Sequence, residues 1–174
     1  MDISEFYHTF APTLQYTMNF EITDMPEFSG DGASIYSVTL NGDDQTLLEK
    51  FFEENVEYGE ELQEIFNKLL VMGKRTGCRW DFFKHYEGNP GDGVSVLKAG
   101  RLRLYCLYVD STIVCFGSGG YKSPDIRAYQ EDSSLNDRAE QMKDIAERIN
   151  RAIKDKDIEI RNGQLQINYW ENED

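Results

Sequence analysis

From residue 13 to 22 the chain reads TLQYTMNFEI, strand formers in alternation, which predicts a β-strand. DMPEFSGDGA breaks the pattern with proline and glycine. SIYSVTL (Ser34–Leu40) restores it as a second strand, closed by NGDD. From Asp43 the apolar period lengthens to that of a helix. Leu47, Leu48, Phe51 and Phe52 share one face, with Asp43 or Asp44 available as N-cap, so a helix is expected over 45–55. After the break VEYGEE, the residues Leu62, Ile65, Phe66, Leu69 and Leu70 form the stripe of a second helix over 60–74, ended by Gly73 and Gly77. So short a link predicts an αα-hairpin.

CRWDFFKHYEGNPGDG reads as a loop. VSVLK (94–98), RLRLYCLYV and TIVCFGS then predict three strands of an antiparallel meander. A two-residue turn at Asp110-Ser111 would pair Val109 with Thr112 and set Cys106 opposite Cys115. In that register Leu102, Leu104, Cys106, Ile113 and Cys115 share the face that packs on the helical hairpin. Arg101, Arg103, Tyr105, Phe116 and Ser118 share the other, a mixed basic and aromatic surface. GSGG (117–120) reads as a glycine-rich segment at a strand end, where backbone N–H groups could meet an anion. It lacks the strand–loop–helix context and the Lys-Ser/Thr of a nucleotide loop. LNDRAEQMKDIAERINRAI (135–153) predicts a helix with Ala139, Met142, Ile145, Ala146, Ile149 and Ile153 as its stripe. IEIRNGQLQINYW predicts a hairpin around Asn162-Gly163, and ENED a mobile tail. The expected class is α+β, one domain over 1–174: a helical hairpin on an antiparallel meander, with a C-terminal helix and hairpin added.

Charge alters this picture by its distribution. The chain carries a net −14 over 174 residues. Residues 1–70 hold 2 Lys/Arg against 15 Asp/Glu, residues 71–130 hold 9 against 5, and residues 131–174 hold 7 against 12. The acidic total reads either as a means to solubility or, given the +4 of the middle third, as the setting of a local anion-facing surface, and the total argues against strong non-specific nucleic-acid binding. DNA is not an expected partner. No run of apolar residues is long enough to span a membrane, and the N-terminal residues lack the basic and apolar regions of a signal peptide. Three cysteines, Cys78, Cys106 and Cys115, show no zinc-ligand spacing and suit a reducing compartment, so a cytoplasmic location is expected.

The order strand, helix, helix, then three antiparallel strands over about 34–123, with LKAGRLRLYCLYVDSTIVCFGSGGYKS, resembles the RelE/HigB branch of the RelE/ParE superfamily of toxin–antitoxin toxins. The residues that carry the resemblance are Leu97, Lys98, Arg101, Arg103, Tyr105 and then Gly120-Tyr121-Lys122. It covers about half the chain, leaving 1–33 and 124–174 as extensions. The resemblance implies a ribosome-associated mRNA endonuclease, held inactive by a small antitoxin-like protein. Such toxins cut RNA without a metal or other cofactor, the 2′-hydroxyl attacking while basic and tyrosine side chains stabilise the phosphorane and move protons. The catalytic candidates it implies are Arg101, Arg103, Tyr105, Tyr121 and Lys122. The chain departs from that family in its acidity, its length and its thin basic set. The alternative is a catalytically silent protein-interaction module on the same fold.

Several of these residues also have structural readings. Arg101 and Arg103 could pair with acidic neighbours on the helices. Arg79 and Lys84, with Lys98, are candidate RNA contacts among the aromatics Trp80, Phe82, Phe83 and Tyr86, which could equally anchor a loop to the core. His8 and His85 have no metal-ligand spacing, and no metal site is expected. The carboxylates of FFEENVEYGEELQE read as a solvated face, or as a docking surface for a basic partner.

Overall fold

A six-stranded sheet with helices on both faces organises the computed structural model, which describes residues 19–85, 93–124 and 133–168. Its strands are β1 (Phe20–Asp24), β2 (Ser34–Leu40), β3 (Phe83–His85), β4 (Val94–Ala99), β5 (Leu102–Asp110) and β6 (Ile113–Tyr121), in the order β1-β2-β6-β5-β4-β3. All neighbours are antiparallel except β2 and β6, which run parallel, so the class is α+β with a mixed sheet. The meander β4–β5–β6 is antiparallel, as its pattern predicts. Residues 13–18 of the first predicted strand lie outside the described residues. The loop predicted over 78–93 contains a 3₁₀ turn at Trp80–Phe82 and the edge strand β3.

The helical hairpin forms as its apolar stripes require. Helix α1 (Leu47–Glu54) is capped by Thr46 rather than by an aspartate. Thr46 Oγ1 accepts from Glu49 N at 3.1 Å, and Glu49 Oε1 accepts from Thr46 N at 3.0 Å. Helix α2 (Gly59–Val71) runs on through a π-helical turn at Met72–Thr76 and stops at Gly77, whose φ of 79° is left-handed. Leu48, Phe51, Ile65, Leu69 and Met72 bury against Ile35, Leu97, Leu102, Leu104, Cys106, Val114 and Phe116, giving one core.

The other face of the sheet is also covered. Helix α3 (Ser133–Lys154) lays Met142, Ile145, Ala146 and Ile149 on Val38, Val96, Tyr105, Leu107, Ile113 and Cys115, giving a second core. A separate hairpin of β7 (Ile158–Arg161) and β8 (Gln164–Ile167) turns at Asn162-Gly163, both at positive φ as predicted. It docks on β2, with Ser34 Oγ donating to Gly163 O at 2.7 Å and Leu165 N donating to Tyr36 Oη at 3.0 Å.

The expected register of β5 and β6 is corrected by one residue. The turn is Ser111-Thr112, flanked by Asp110 paired with Ile113, because Asp110 Oδ1 accepts from Thr112 N at 2.7 Å. Val109 is left as an extra residue, so Tyr108 pairs with Val114, Leu107 with Cys115 and Cys106 with Phe116. A one-residue slip moves side chains to the opposite face. Phe116 therefore packs under the helical hairpin, while Ile113 and Cys115 pack under α3. Cys106 and Cys115 sit in different cores, and all three cysteines are free.

GSGG is likewise not a strand-end loop but the interior of β6. A Cβ on Gly117 would collide with Met142 Sδ, and one on Gly119 with the Arg103 carbonyl. The glycines let α3 and the irregular β5 ladder approach closely.

Candidate nucleic-acid interface

Backbone pairing draws four of the five catalytic candidates to one end of the sheet. Leu102 pairs with Tyr121 and Arg103 with Gly120, and Lys122 N donates to Arg101 O at 2.8 Å. Lys98 joins them from β4, directly opposite Arg103. Arg101 is not a strand residue. With Gly100 it forms the two-residue turn between Ala99 and Leu102.

The side chains spread around that end rather than share one face. Arg103 lies on the α3 side of β5, two positions from Tyr105. Tyr121 lies on the other side, where its ring stacks on Tyr58 with centroids 4.1 Å apart and planes 7° apart. Tyr105 does not reach the cluster: it is buried in the second core, against the expectation of an open basic and aromatic face. Arg79 and Lys84 also stay apart. Arg79 follows Cys78, whose N–H donates to Ser111 O at the far end of β5, and it pairs with Asp81 at 3.5 Å. Lys84 is exposed on β3 opposite Val96.

Both arginines are partly engaged with backbone. Arg101 Nη1 donates to Ser123 O at 3.1 Å. Arg103 Nη1 donates to Gly100 O at 2.8 Å and Leu102 O at 3.1 Å, while its Nε is buried without a partner. Among the described residues no carboxylate is ion-paired with Arg101, Arg103 or Lys122, in a chain with 32 Asp and Glu. Glu61 lies against Gly100 of the Arg101 turn and Glu57 acts on Tyr58, so carboxylates border this end without forming an ion pair with its three cations among the described residues, and the guanidinium N–H groups not bonded to backbone suit phosphate oxygens.

Tyr58 was not legible as a site residue. It is the N-cap residue of α2, its C=O accepting from Leu62 N at 2.9 Å, and it stands at helical spacing ahead of Leu62, Ile65 and Leu69, so its pattern reads as the start of an apolar stripe rather than as a site. Burial, and secondarily the Glu57 carboxylate, push its phenol above the usual range, so near neutral pH it is a proton donor and not a base. Arg138 is another addition from the fold, bonding Gly119 O and Glu54 Oε2 and so tying α3 to the glycine stretch of β6 and to α1. His85 takes no part. Its ring stacks on Trp80 at 3.3 Å, with Nδ1 2.7 Å from Ser95 Oγ and Nε2 3.0 Å from Trp80 O.

Among the described residues no cluster of three or more His, Cys, Asp or Glu could hold a metal, and no helix is long and apolar enough to cross a membrane. Comparison with protein-family models, with curated proteins and with solved structures finds no match for this chain.

Proposed function

We propose that the chain is a toxin-like protein on a RelE-like core that binds RNA phosphate at the Arg101–Lys122 end of its sheet, with a small antitoxin-like protein as regulator. The observation that supports this reading is that backbone pairing places Arg101, Arg103 and Lys122 at one end of the sheet, with no ion pair to any of them among the described residues of a −14 chain. In the endonuclease form of the proposal, the 2′-hydroxyl attacks the phosphorus and its proton passes to solvent water, the guanidinium groups and Lys122 take up the charge of the phosphorane, and Tyr121 or Tyr58 donates a proton to the 5′-oxygen as its bond to phosphorus breaks. Ribosome-bound message is the proposed substrate. The three free, buried thiols suit a reducing compartment, and the cytoplasm is the proposed location.

A second reading is favoured by one specific observation. Tyr105 is inside the second core, and Arg101 and Arg103 each spend one nitrogen on backbone carbonyls. That arrangement suits an interaction module that binds without cleaving. Expression of the wild type alone, with growth and in vitro translation as readouts, separates the two. On the endonuclease reading, wild type arrests translation and leaves cut message, while Arg103→Ala with Lys122→Ala lowers cleavage by roughly 10²–10³. RNA binding without cut ends supports the silent module. If wild type and double mutant grow alike and neither binds RNA, the phosphate reading fails.

A further inference from the structure

A groove of about 420 Å³ runs along the outer side of α2, away from the two cores. Val71 and Phe82 contribute its apolar floor. Glu60, Gln63, Glu64 and Asn67, one helical face, form its rim. From Glu60 to Val71 the helix rises about 16 Å, enough to lie beside three turns of a second helix. Lys68 also lines the groove, but its ammonium is held by Glu64 Oε2 at 3.1 Å and by Lys98 O at 2.9 Å. Arg79 stands over the Phe82 ring at 5.9 Å and is paired with Asp81. Glu60 has no ion-pair partner among the described residues, nor do Glu57 and Glu61 beside it.

Charge selects the occupant. The groove's own lining carries Glu60 and Glu64 against the single Lys68. A nucleic acid would be repelled here, and so would a second copy of a −14 chain. We infer that this groove docks a basic amphipathic helix of a protein partner, its apolar stripe on Val71 and Phe82 and its Lys/Arg side chains on Glu60 and Glu64. The side chains of Gln63 and Asn67, bonded to each other at 3.0 Å, offer the helix polar contacts along the same rim. The inference stands on this groove and not on the phosphate cluster, so either can fail without the other.

The test titrates the full chain into a labelled synthetic peptide about 16 residues long, with leucines at helical spacing and lysines elsewhere. A second peptide has the same composition with its leucines scattered. The patterned peptide should bind saturably and at least about tenfold tighter than the scattered one. Binding should weaken as NaCl rises from about 50 to about 500 mM. Glu60→Gln with Glu64→Gln should weaken it about tenfold, whereas Glu53→Gln on α1 should change it little. Amide shifts of the wild-type protein should move along 60–71 and at Phe82, which decides the matter even if a variant folds poorly. Equal binding of the two peptides, equal loss from Glu53→Gln, shifts centred on another surface, or no binding at all would overturn the inference.

Discussion

The Arg103 guanidinium is bound to the carbonyls of Gly100 and Leu102 through one nitrogen, and its Nε is buried without a partner. An orphaned donor offsets what the packing of the stem contributes, so Arg103→Ala should cost under about 1 kcal/mol of stability. Its neighbour Leu104 is fully buried in the first core, and Leu104→Ala should cost about 2–5 kcal/mol. Urea titrations of the two variants check this pair, and equal losses would contradict the assigned faces. The thiols give a second residue-scale test. Burial pushes Cys115 up to about 12 and Cys78 also to about 12, Cys78 with a smaller push from Asp110, and Cys106 is raised as well. These groups stay protonated in the fold where the unfolded chain ionises. Their stabilisation is therefore complete below the unfolded thiol pKa, near 9, and is lost as pH rises from there toward 12. Unfolding midpoints should fall between pH 8 and about 10.5, and Cys115→Ala should flatten that fall while costing some stability at pH 7.

At the scale of elements, a few hydrogen bonds decide how short segments start and turn. Helix α1 has eight residues, too few to be stable by propensity, so its start depends on tertiary anchors. One is the Thr46 capping box. Another is Ser37, fully buried on β2, whose Oγ accepts from Leu48 N at 3.1 Å and donates to Phe116 O at 2.8 Å. Thr46→Ala should cost about 0.5–2 kcal/mol. Ser37→Ala leaves a buried donor and acceptor unpaired and should cost about 1–3 kcal/mol. Thermal melts followed by circular dichroism measure both. The β5–β6 turn works in the same way: Asp110 Oδ1 bonds Thr112 N and Thr112 Oγ1, selecting Ser111-Thr112 over the neighbouring pair. Asp110→Ala should lower stability by about 1 kcal/mol and broaden the amide resonances of 109–114 as registers compete.

For the whole molecule, the sheet is an inner layer between α1–α2 and α3, so neither broad face is left for a ligand. Recognition is confined to ends, edges and helix surfaces, which is where the cationic end and the α2 groove lie. Substituting Ala146, fully buried on the sheet-facing side of α3, by Asp should lift that helix from Tyr105, Leu107 and Cys115. The variant should bind a hydrophobic dye and expose Cys115 to thiol reagents that leave the wild type unmodified. Global charge acts in parallel. With a net −14, self-repulsion opposes compaction, so the melting temperature should rise with added NaCl until screening is complete.

By itself the sequence determined the types and order of most elements, the edge strand β3 excepted. The periods of 45–55, 60–74 and 135–153, the alternation of the meander and the Asn162-Gly163 turn are local signals, and each is met within a residue or a few. It also marked Arg101, Arg103, Tyr121 and Lys122 as neighbours, because a hairpin brings close what lies at matched distances from its turn. Tertiary structure alone decided which faces meet what. The one-residue shift set by Asp110 reversed Ile113, Cys115 and Phe116, and alternation carries no information about absolute register. It decided that α3 covers the face of Tyr105, since an amphipathic stripe does not say which of two apolar sheet faces it will bury. And it placed Tyr58 on Tyr121, a pairing between residues 63 positions apart that only the packing of α2 against the end of β6 creates.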